Sequence, residues 1–201
     1  MIFKYFDSVE EIKKGWSGDK KYCAVKDGAK YFLRISPIGK YNNRRKIHKI
    51  MTVLAKQNLS MCKPLKVGLC TEGTYIVQSW IDGVDAEEHI HDYNEKQQYD
   101  FGFQAGVILQ KIHTIPAPDS QQGWEERFNA KMDRKIKMYT KCPIKFEGAE
   151  NIIDYLNSNR DLIKNRPQCF QHGDYHIGNM MIENNKIVII DFDRYDFGDP
   201  W

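Results

Sequence analysis

The chain has no C-x-x-C pair, and its cysteines are odd in number, five, at positions 23, 62, 70, 142 and 169. That spacing excludes a disulfide framework and a zinc ribbon. Free thiols in a reducing compartment are expected, which makes the cytoplasm the expected setting. No apolar run approaches the ~18 residues of a membrane helix. The opening MIFKYFDSVEEIKKG meets acids too early for a signal peptide. The formal net charge is only +3, too little to argue for nucleic acid or a membrane surface as partner. The basic clusters NNRRKIHK and KMDRKIKMYTK read as solvated helix faces, since acids are plentiful elsewhere. There is no internal repeat, no low-complexity segment and no Walker loop of the form G-x-x-x-x-G-K-[ST].

What is present fits a globular chain of 201 residues, long enough for one large domain or two small lobes. SVEE at 8–11 predicts a capped opening helix. Tyr22, Ala24, Tyr31, Leu33 and Ile35 alternate around Asp27-Gly28, which predicts two strands joined by a tight turn. A helix over about 43–58 follows, with Ile47, Ile50, Met51 and Leu54 on one face. CKPLKVGLC and TYIVQSW read as two further strands. After residue 81 helical periodicity takes over: ~95–113 with Phe101, Ala105, Ile108, Leu109 and Ile112, then ~124–140 and ~149–164. CFQ, MMIE and KIVIID read as short late strands, the last two joined by Asn184-Asn185. The expectation is an α+β chain with a small antiparallel lobe over 1–80, a hinge near 78–83 and a mainly helical lobe over 81–201.

The stretch QHGDYHIGNMMIENNKIVIIDFD, residues 171–193, crowds His172, Asp174, His176 and Asn179 before an apolar hairpin that ends at Asp191. Two chemistries could use it. Phosphoryl transfer needs a carboxylate at the acceptor hydroxyl and oxygen ligands for Mg²⁺ on a triphosphate. Asp174, Asn179 and Asp191 can fill those roles, and a hairpin would bring Asp191 back beside Asn179. Metal-assisted hydrolysis is the alternative, with His172, Asp174 and His176 as zinc ligands in an extended segment. That reading leaves Asn179 and Asp191 without work.

HGDYHIGNMMI followed by IVIIDFDRYDFGDP resembles the signature of the aminoglycoside phosphotransferase and choline kinase families, relatives of the protein kinases: H-G-D-x-x-x-x-N, a hairpin, I-D-[FW]-[DE] and a later G-D-P. YIVQSWIDG resembles their hinge, GVILQKIHTI their long helix, and GWSGDKKY the entry to their nucleotide loop. The resemblance implies a two-lobed protein-kinase-like fold and transfer of a phosphoryl group from ATP, with GTP as an alternative, to a hydroxyl of a small molecule, an aminoglycoside first. The other acceptors it implies are choline, homoserine and sugars, and a non-catalytic nucleotide-binding pseudokinase is the alternative to activity. It implies Asp174 as the catalytic base, His172 as the residue that holds the loop, and Asn179 and Asp191 as Mg²⁺ ligands. The Ser79 carbonyl and Ile81 amide would meet the purine, and Ser17 and Gly18 would cover the phosphates. His113 is expected to pack and hydrogen-bond. The acids Glu125, Glu126, Asp196 and Asp199 are candidates for an acceptor pocket.

Two features depart from the family pattern. Arg34 stands where a phosphate-binding Lys is usual, and its planar fork differs from an ammonium. The following helix has Ile47 or His48 where a Glu usually pairs with that cation, so another acid is expected to serve. Relatives also continue past G-D-P with further helices. A chain without them is expected to expose apolar C-lobe surface, which a homodimer would cover.

Overall fold

Asp27 and Gly28 take φ values of 51° and 75°, the left-handed pair that a two-residue hairpin turn requires. The structure, a computed structural model, describes residues 2–13 and 18–200. In chain order its elements are β1 (Ser8–Ile12), β2 (Lys20–Lys26), β3 (Ala29–Ser36), α1 (Tyr41–Ala55), β4 (Pro64–Cys70), β5 (Gly73–Ser79), β6 (Val84–Asp85), α2 (Ala86–His89), α3 (Glu95–Ile112), α4 (Trp124–Lys141), α5 (Ala149–Ser158), β7 (Cys169–Gln171), β8 (Met180–Glu183), β9 (Lys186–Ile189) and β10 (Asp196–Gly198). The class is α+β, with every paired strand antiparallel. Two compact units form: residues up to Ile112 together with His172–Tyr195, and His113–Gln171 together with the residues from Asp196 onward.

The first unit holds a five-stranded sheet in the order β1-β2-β3-β5-β4. Strand period sorts its side chains. Leu33 and Ile35 of β3, with Tyr75 and Val77 of β5, join Phe6 and Ala24 in an apolar cluster on one face. Arg34 and Ser36 alternate to the other face. There α1 lies, turning Arg44, Ile47, Met51 and Leu54 inward at 3/4 spacing. Arg44 Nε donates to Ser36 Oγ at 3.1 Å, and Gln78 Nε2 reaches Met51 Sδ at 3.4 Å.

SVEE does not open a helix; it forms strand β1. Val9 packs against the Phe6 cluster, and Asp7 N–H donates to the Val25 carbonyl at 2.8 Å to begin the pairing with β2. Partnered backbone and a β-branched residue on the core face outweigh a local capping pattern.

A second sheet in the same unit runs β6-β8-β9, and Asn184 and Asn185 make its hairpin turn at φ 50° and 58°. Backbone bonds anchor β9 to the segment before β4: Cys62 N–H to the Ile189 carbonyl at 3.1 Å, and Ile189 N–H to the Ser60 carbonyl at 3.0 Å. Ser60 Oγ adds a bond to the Ile187 carbonyl at 2.6 Å. On the other side α3 buries Phe101, Ala105, Ile108 and Ile112, and Gln104 Oε1 accepts from Ile187 N–H at 3.0 Å. The end of β9 is therefore held from two directions.

In the second unit β7 pairs with β10, matching Phe170 with Phe197 and Gly198 with Cys169. Arg160 bridges from the turn after α5 to Asn129 at 3.0 Å and Asp133 at 2.6 Å on α4. The helix expected to reach residue 164 ends at Ser158, because Asn159 caps it, its Nδ2 donating to the Tyr155 carbonyl at 2.7 Å. Met138, Ile144, Phe146, Ile152, Tyr155 and Leu162 are exposed in this unit. All five cysteines are free. Among the described residues no helix is long and apolar enough to cross a membrane.

Candidate active site

The segment from His172 to Asn179 runs from the end of β7 to the start of β8. Gly173 opens it at φ 81°, and a Cβ there would collide with the Arg194 carbonyl. Only glycine meets both conditions. His172 is 1% exposed. Its Nε2–H donates to the Ile190 carbonyl at 2.9 Å, and its Nδ1 accepts from Asp174 N–H at 3.3 Å. Burial holds the imidazole below its ordinary pKa, against the opposing pull of the Ile190 bond and of Asp191 and Asp174, so the ring is neutral at pH 7. Phe192 and Tyr175 enclose it, with ring centroids 4.6 and 5.5 Å away. Tyr175 in turn donates its hydroxyl to the Ala105 carbonyl of α3 at 2.6 Å. His172 therefore ties the Asp174 main chain to the strand end that leads into Asp191.

Asp174 is partly exposed and accepts from Asn179 Nδ2 at 3.3 Å; the same amide donates to the Asp174 carbonyl at 2.9 Å. Ile190 N–H donates to the Asn179 carbonyl at 3.0 Å, so the residue before Asp191 is fastened to Asn179. Asp191 sits in the left-handed region at φ 59°, a conformation costly for most side chains and tolerated best by Asn and Asp. One cation flanks Asp174: Arg194 Nη1 lies 3.7 Å from one carboxylate oxygen, while the His176 ring places Nε2 3.8 Å from the other.

The Asn179 amide nitrogen is turned to Asp174, which leaves its carbonyl oxygen as a neutral hard donor, and Asp191 keeps a partly exposed carboxylate. Two such oxygens suit Mg²⁺, which takes one or two protein ligands and completes its shell with water and phosphate oxygens. Zinc does not fit. Among the described residues no group of three His, Cys, Asp or Glu is arranged to hold a metal ion. His172 spends both ring nitrogens on backbone, and His176 Nδ1 accepts from Gly178 N–H at 3.1 Å. The hydrolase alternative built on His172, Asp174 and His176 is therefore set aside.

Arg34 is buried on the α1 face of the sheet. Its Nε lies 2.7 Å from Asp19 Oδ2, its Nη2 2.6 Å from Asp193 Oδ2 and its Nη1 3.7 Å from Asp191 Oδ1. Arg44 of α1 reaches the same two acids: Nη2 to Asp19 Oδ2 at 2.5 Å, and Nη1 to Asp193 Oδ1. Lys40 Nζ closes on the other Asp19 oxygen at 2.9 Å. Burial pushes the Asp19 carboxyl up, but the Lys40 bond and the Arg34 and Arg44 charges outweigh it and hold the pKa at about 2. The acid expected from elsewhere in the chain is thus supplied by Asp19 and Asp193, and α1 contributes a cation.

The remaining expected residues fall as follows. Ser17 lies outside the described residues. Gly18 is exposed, with open space around it. Ser79 ends β5; its N–H donates to the Lys63 carbonyl and its Oγ accepts from Lys63 N–H, each at 2.9 Å, while Ile81 is buried. His113 is half-buried, and its Nε2 is enclosed with no hydrogen-bond partner among the described residues. Asp196 and Asp199 are engaged by Arg127 at 3.0 Å and Arg166 at 2.7 Å.

Arg44, Asp193, Arg194 and the role of Asp19 were not found by sequence reasoning. One signal existed: Arg44 continues the Ile47, Met51, Leu54 stripe one turn back, and a charge on an apolar stripe requires a buried partner.

The fold is that of the kinase-like phosphotransferases. The chain belongs to the phosphotransferase enzyme family APH, whose model matches residues 8–201. Among solved structures it is similar to the streptomycin–ATP–APH(2")-IIa ternary complex, with TM-score 0.71 and 18% identity over 99% of this chain and 70% of that one. A thermostable mutant of aminoglycoside phosphotransferase APH(4)-Ia matches at TM-score 0.69 and 17% identity, over 98% and 71% of the two chains. A Haemophilus somnus protein named as a fructosamine-3-kinase matches at 0.68 and 15%, over 98% and 68%. At these identities the likeness is one of fold. A search of curated protein sequences finds no match.

Proposed function

We infer that the protein transfers the γ-phosphoryl group of ATP or GTP to a hydroxyl of a small molecule, with an aminoglycoside as the first acceptor class to test. The observation that carries this reading is the fastening of three oxygen-bearing residues into one loop: Asn179 bonded to Asp174, and the Asp191 backbone bonded through Ile190 to Asn179. In this reading residues 1–80 are the nucleotide lobe and 81–201 the helical lobe. Ser79 and Ile81 offer backbone groups to the purine, Ser17 and Gly18 cover the phosphates, and Arg34 addresses them.

Phosphoryl transfer asks the protein for positioning and charge rather than covalent chemistry. Asp174 orients the acceptor hydroxyl and takes its proton. Its carboxylate is aimed by the Asn179 amide and by the backbone bond to His172, which remains neutral and gives up no proton of its own. Arg194 beside Asp174 sets positive potential where the acceptor and the transferring group meet. Asn179 and Asp191 would hold Mg²⁺, which would supply charge neutralisation at the phosphate oxygens.

A second acceptor class, a neutral alcohol such as a sugar, is favoured by one observation. Asp196 and Asp199, two acids suited to a polycation, are already paired with arginines. The apolar residues exposed on α4 and α5 are compatible with a homodimer. The test is ADP release in the presence of Mg²⁺ and ATP or GTP against a panel of aminoglycosides, sugars, choline and homoserine. Acceptor-dependent release with any member supports a small-molecule kinase, and the member identifies the class. Nucleotide binding without acceptor-dependent release across the panel favours a pseudokinase.

A further inference from the structure

Four side chains in the first unit close a ring. Asp19 contacts both Arg34 and Arg44 through Oδ2, at 2.7 and 2.5 Å. Asp193 contacts both through its two oxygens, 2.6 Å to Arg34 Nη2 and a short bond to Arg44 Nη1. The charges balance two against two. The members come from four places: the segment before β2, strand β3, helix α1 and the turn after Asp191. Arg34, Arg44 and Asp19 are each less than a tenth exposed. Ser36 Oγ accepts from the Arg44 Nε–H at 3.1 Å.

We propose that Arg44 is a positioning residue for the nucleotide phosphates, acting through Arg34: the ring of Asp19, Arg44 and Asp193 fixes the Arg34 guanidinium with Nη1 turned toward Asp191. This rests on the reading of Arg34 as the phosphate cation and Asp191 as a metal ligand. A lone guanidinium on a strand can rotate about its long side chain. One held by acids at Nε and Nη2 cannot, and its remaining edge faces Asp191 at 3.7 Å. Arg44 is what keeps both acids in place. Without it Asp193 loses one of the two arginines it touches, and Asp19 keeps only Arg34 and Lys40. A helix Glu, the usual partner of a phosphate cation, would hold that cation at one point. Here two acids hold it at two, and a second arginine holds the acids. The same ring joins Asp19, just before β2, to the turn that carries Asp191.

The test is a pair of titrations on the full chain, Mg²⁺·ATP by calorimetry and adenosine by ligand-detected NMR, for wild type, Arg44→Met, Asp193→Asn, Arg34→Met and the double variant Arg34→Met/Arg44→Met. Arg45→Met, on the exposed side of the same helix, is the control. Arg44→Met and Asp193→Asn are expected to weaken Mg²⁺·ATP at least tenfold and to leave adenosine within twofold. In the Arg34→Met background the Arg44 change is expected to add less than twofold, because its effect passes through Arg34. Equal losses for adenosine and Mg²⁺·ATP would reduce Arg44 to a structural support and overturn the proposal, as would unchanged Mg²⁺·ATP binding. Additive losses in the double variant would overturn action through Arg34. If Arg44→Met fails to fold, Asp193→Asn, which preserves shape, decides by the same criteria. Failure of wild type to bind Mg²⁺·ATP overturns the nucleotide reading itself, and the clamp with it.

Discussion

Asp193 Oδ2 lies 2.6 Å from Arg34 Nη2, two residues beyond Asp191 in the turn that follows β9. The second aspartate of the Asp-Phe-Asp segment thus holds the strand cation from below, while Asp19 holds it from the segment before β2. A cation that the family pattern pairs with a helix carboxylate is paired here with two loop carboxylates, and the helix answers with Arg44.

Asp19 is the most enclosed acid of this arrangement, and its loss leaves two buried guanidinium groups short of charge. Asp19→Ala is expected to destabilise the fold by about 3–5 kcal/mol, the range for breaking a buried pair from one side. Urea unfolding measures it. The exposed Asp27→Asn is the comparison, and its effect should stay within about 0.5 kcal/mol.

The Asp174 side chain is partly exposed, and the proposed function gives it the acceptor hydroxyl. Asp174→Ala is expected to lower turnover at least ~10²-fold. Mg²⁺·ATP affinity and the unfolding midpoint should change little, since the side chain is partly exposed. Steady-state kinetics on whichever acceptor the panel identifies, beside a nucleotide titration, separates the two effects. Retained turnover would remove Asp174 from its role.

Burial lowers the His172 pKa, so the unfolded chain binds a proton there more readily than the folded one. The stability it contributes is full above about 6.5, the ordinary histidine value, and is lost as pH falls through the depressed folded value. Unfolding free energy should therefore decline from pH 7 toward pH 5. The slope should shrink in His172→Gln, read by denaturant melts at fixed salt. An unchanged slope would assign the decline to other groups.

Gly173 carries a positive φ and touches the Arg194 carbonyl at the position a Cβ would take. Gly173→Ala is expected to destabilise by more than about 1 kcal/mol, the backbone contribution alone, and to lower turnover as well because Asp174 is next in the chain. Thermal melts and kinetics on the same variant check both.

Much of the site could be read from the chain because its spacing is local. The hairpin between Asn179 and Asp191 is specified by alternating apolar residues and by two asparagines that accept positive φ, so the return of Asp191 follows from short-range rules. The same holds for the Asp27-Gly28 turn and the stripe of α1. Long-range charge pairing does not follow from such rules. Asp19, Arg44 and Asp193 are separated by up to 174 positions, and only tertiary packing tells which acid meets which arginine. Strand β1 was misread for a related reason: SVEE satisfies a helix-capping pattern locally, while its pairing with β2 is decided by the Phe6 cluster.

Thermal stability with Mg²⁺ and ATP or GTP, in wild type and in Asp191→Asn, tests the phosphotransferase reading most directly. The substitution retains a residue that tolerates the left-handed backbone at 191 and removes only the charge. At ~100 times the dissociation constant a bound nucleotide adds about 2.7 kcal/mol to stability. A metal-dependent stabilisation of that size in wild type, absent from Asp191→Asn, is the predicted result. No stabilisation by either nucleotide, or the same stabilisation in both proteins, would contradict the site built on Asp174, Asn179 and Asp191.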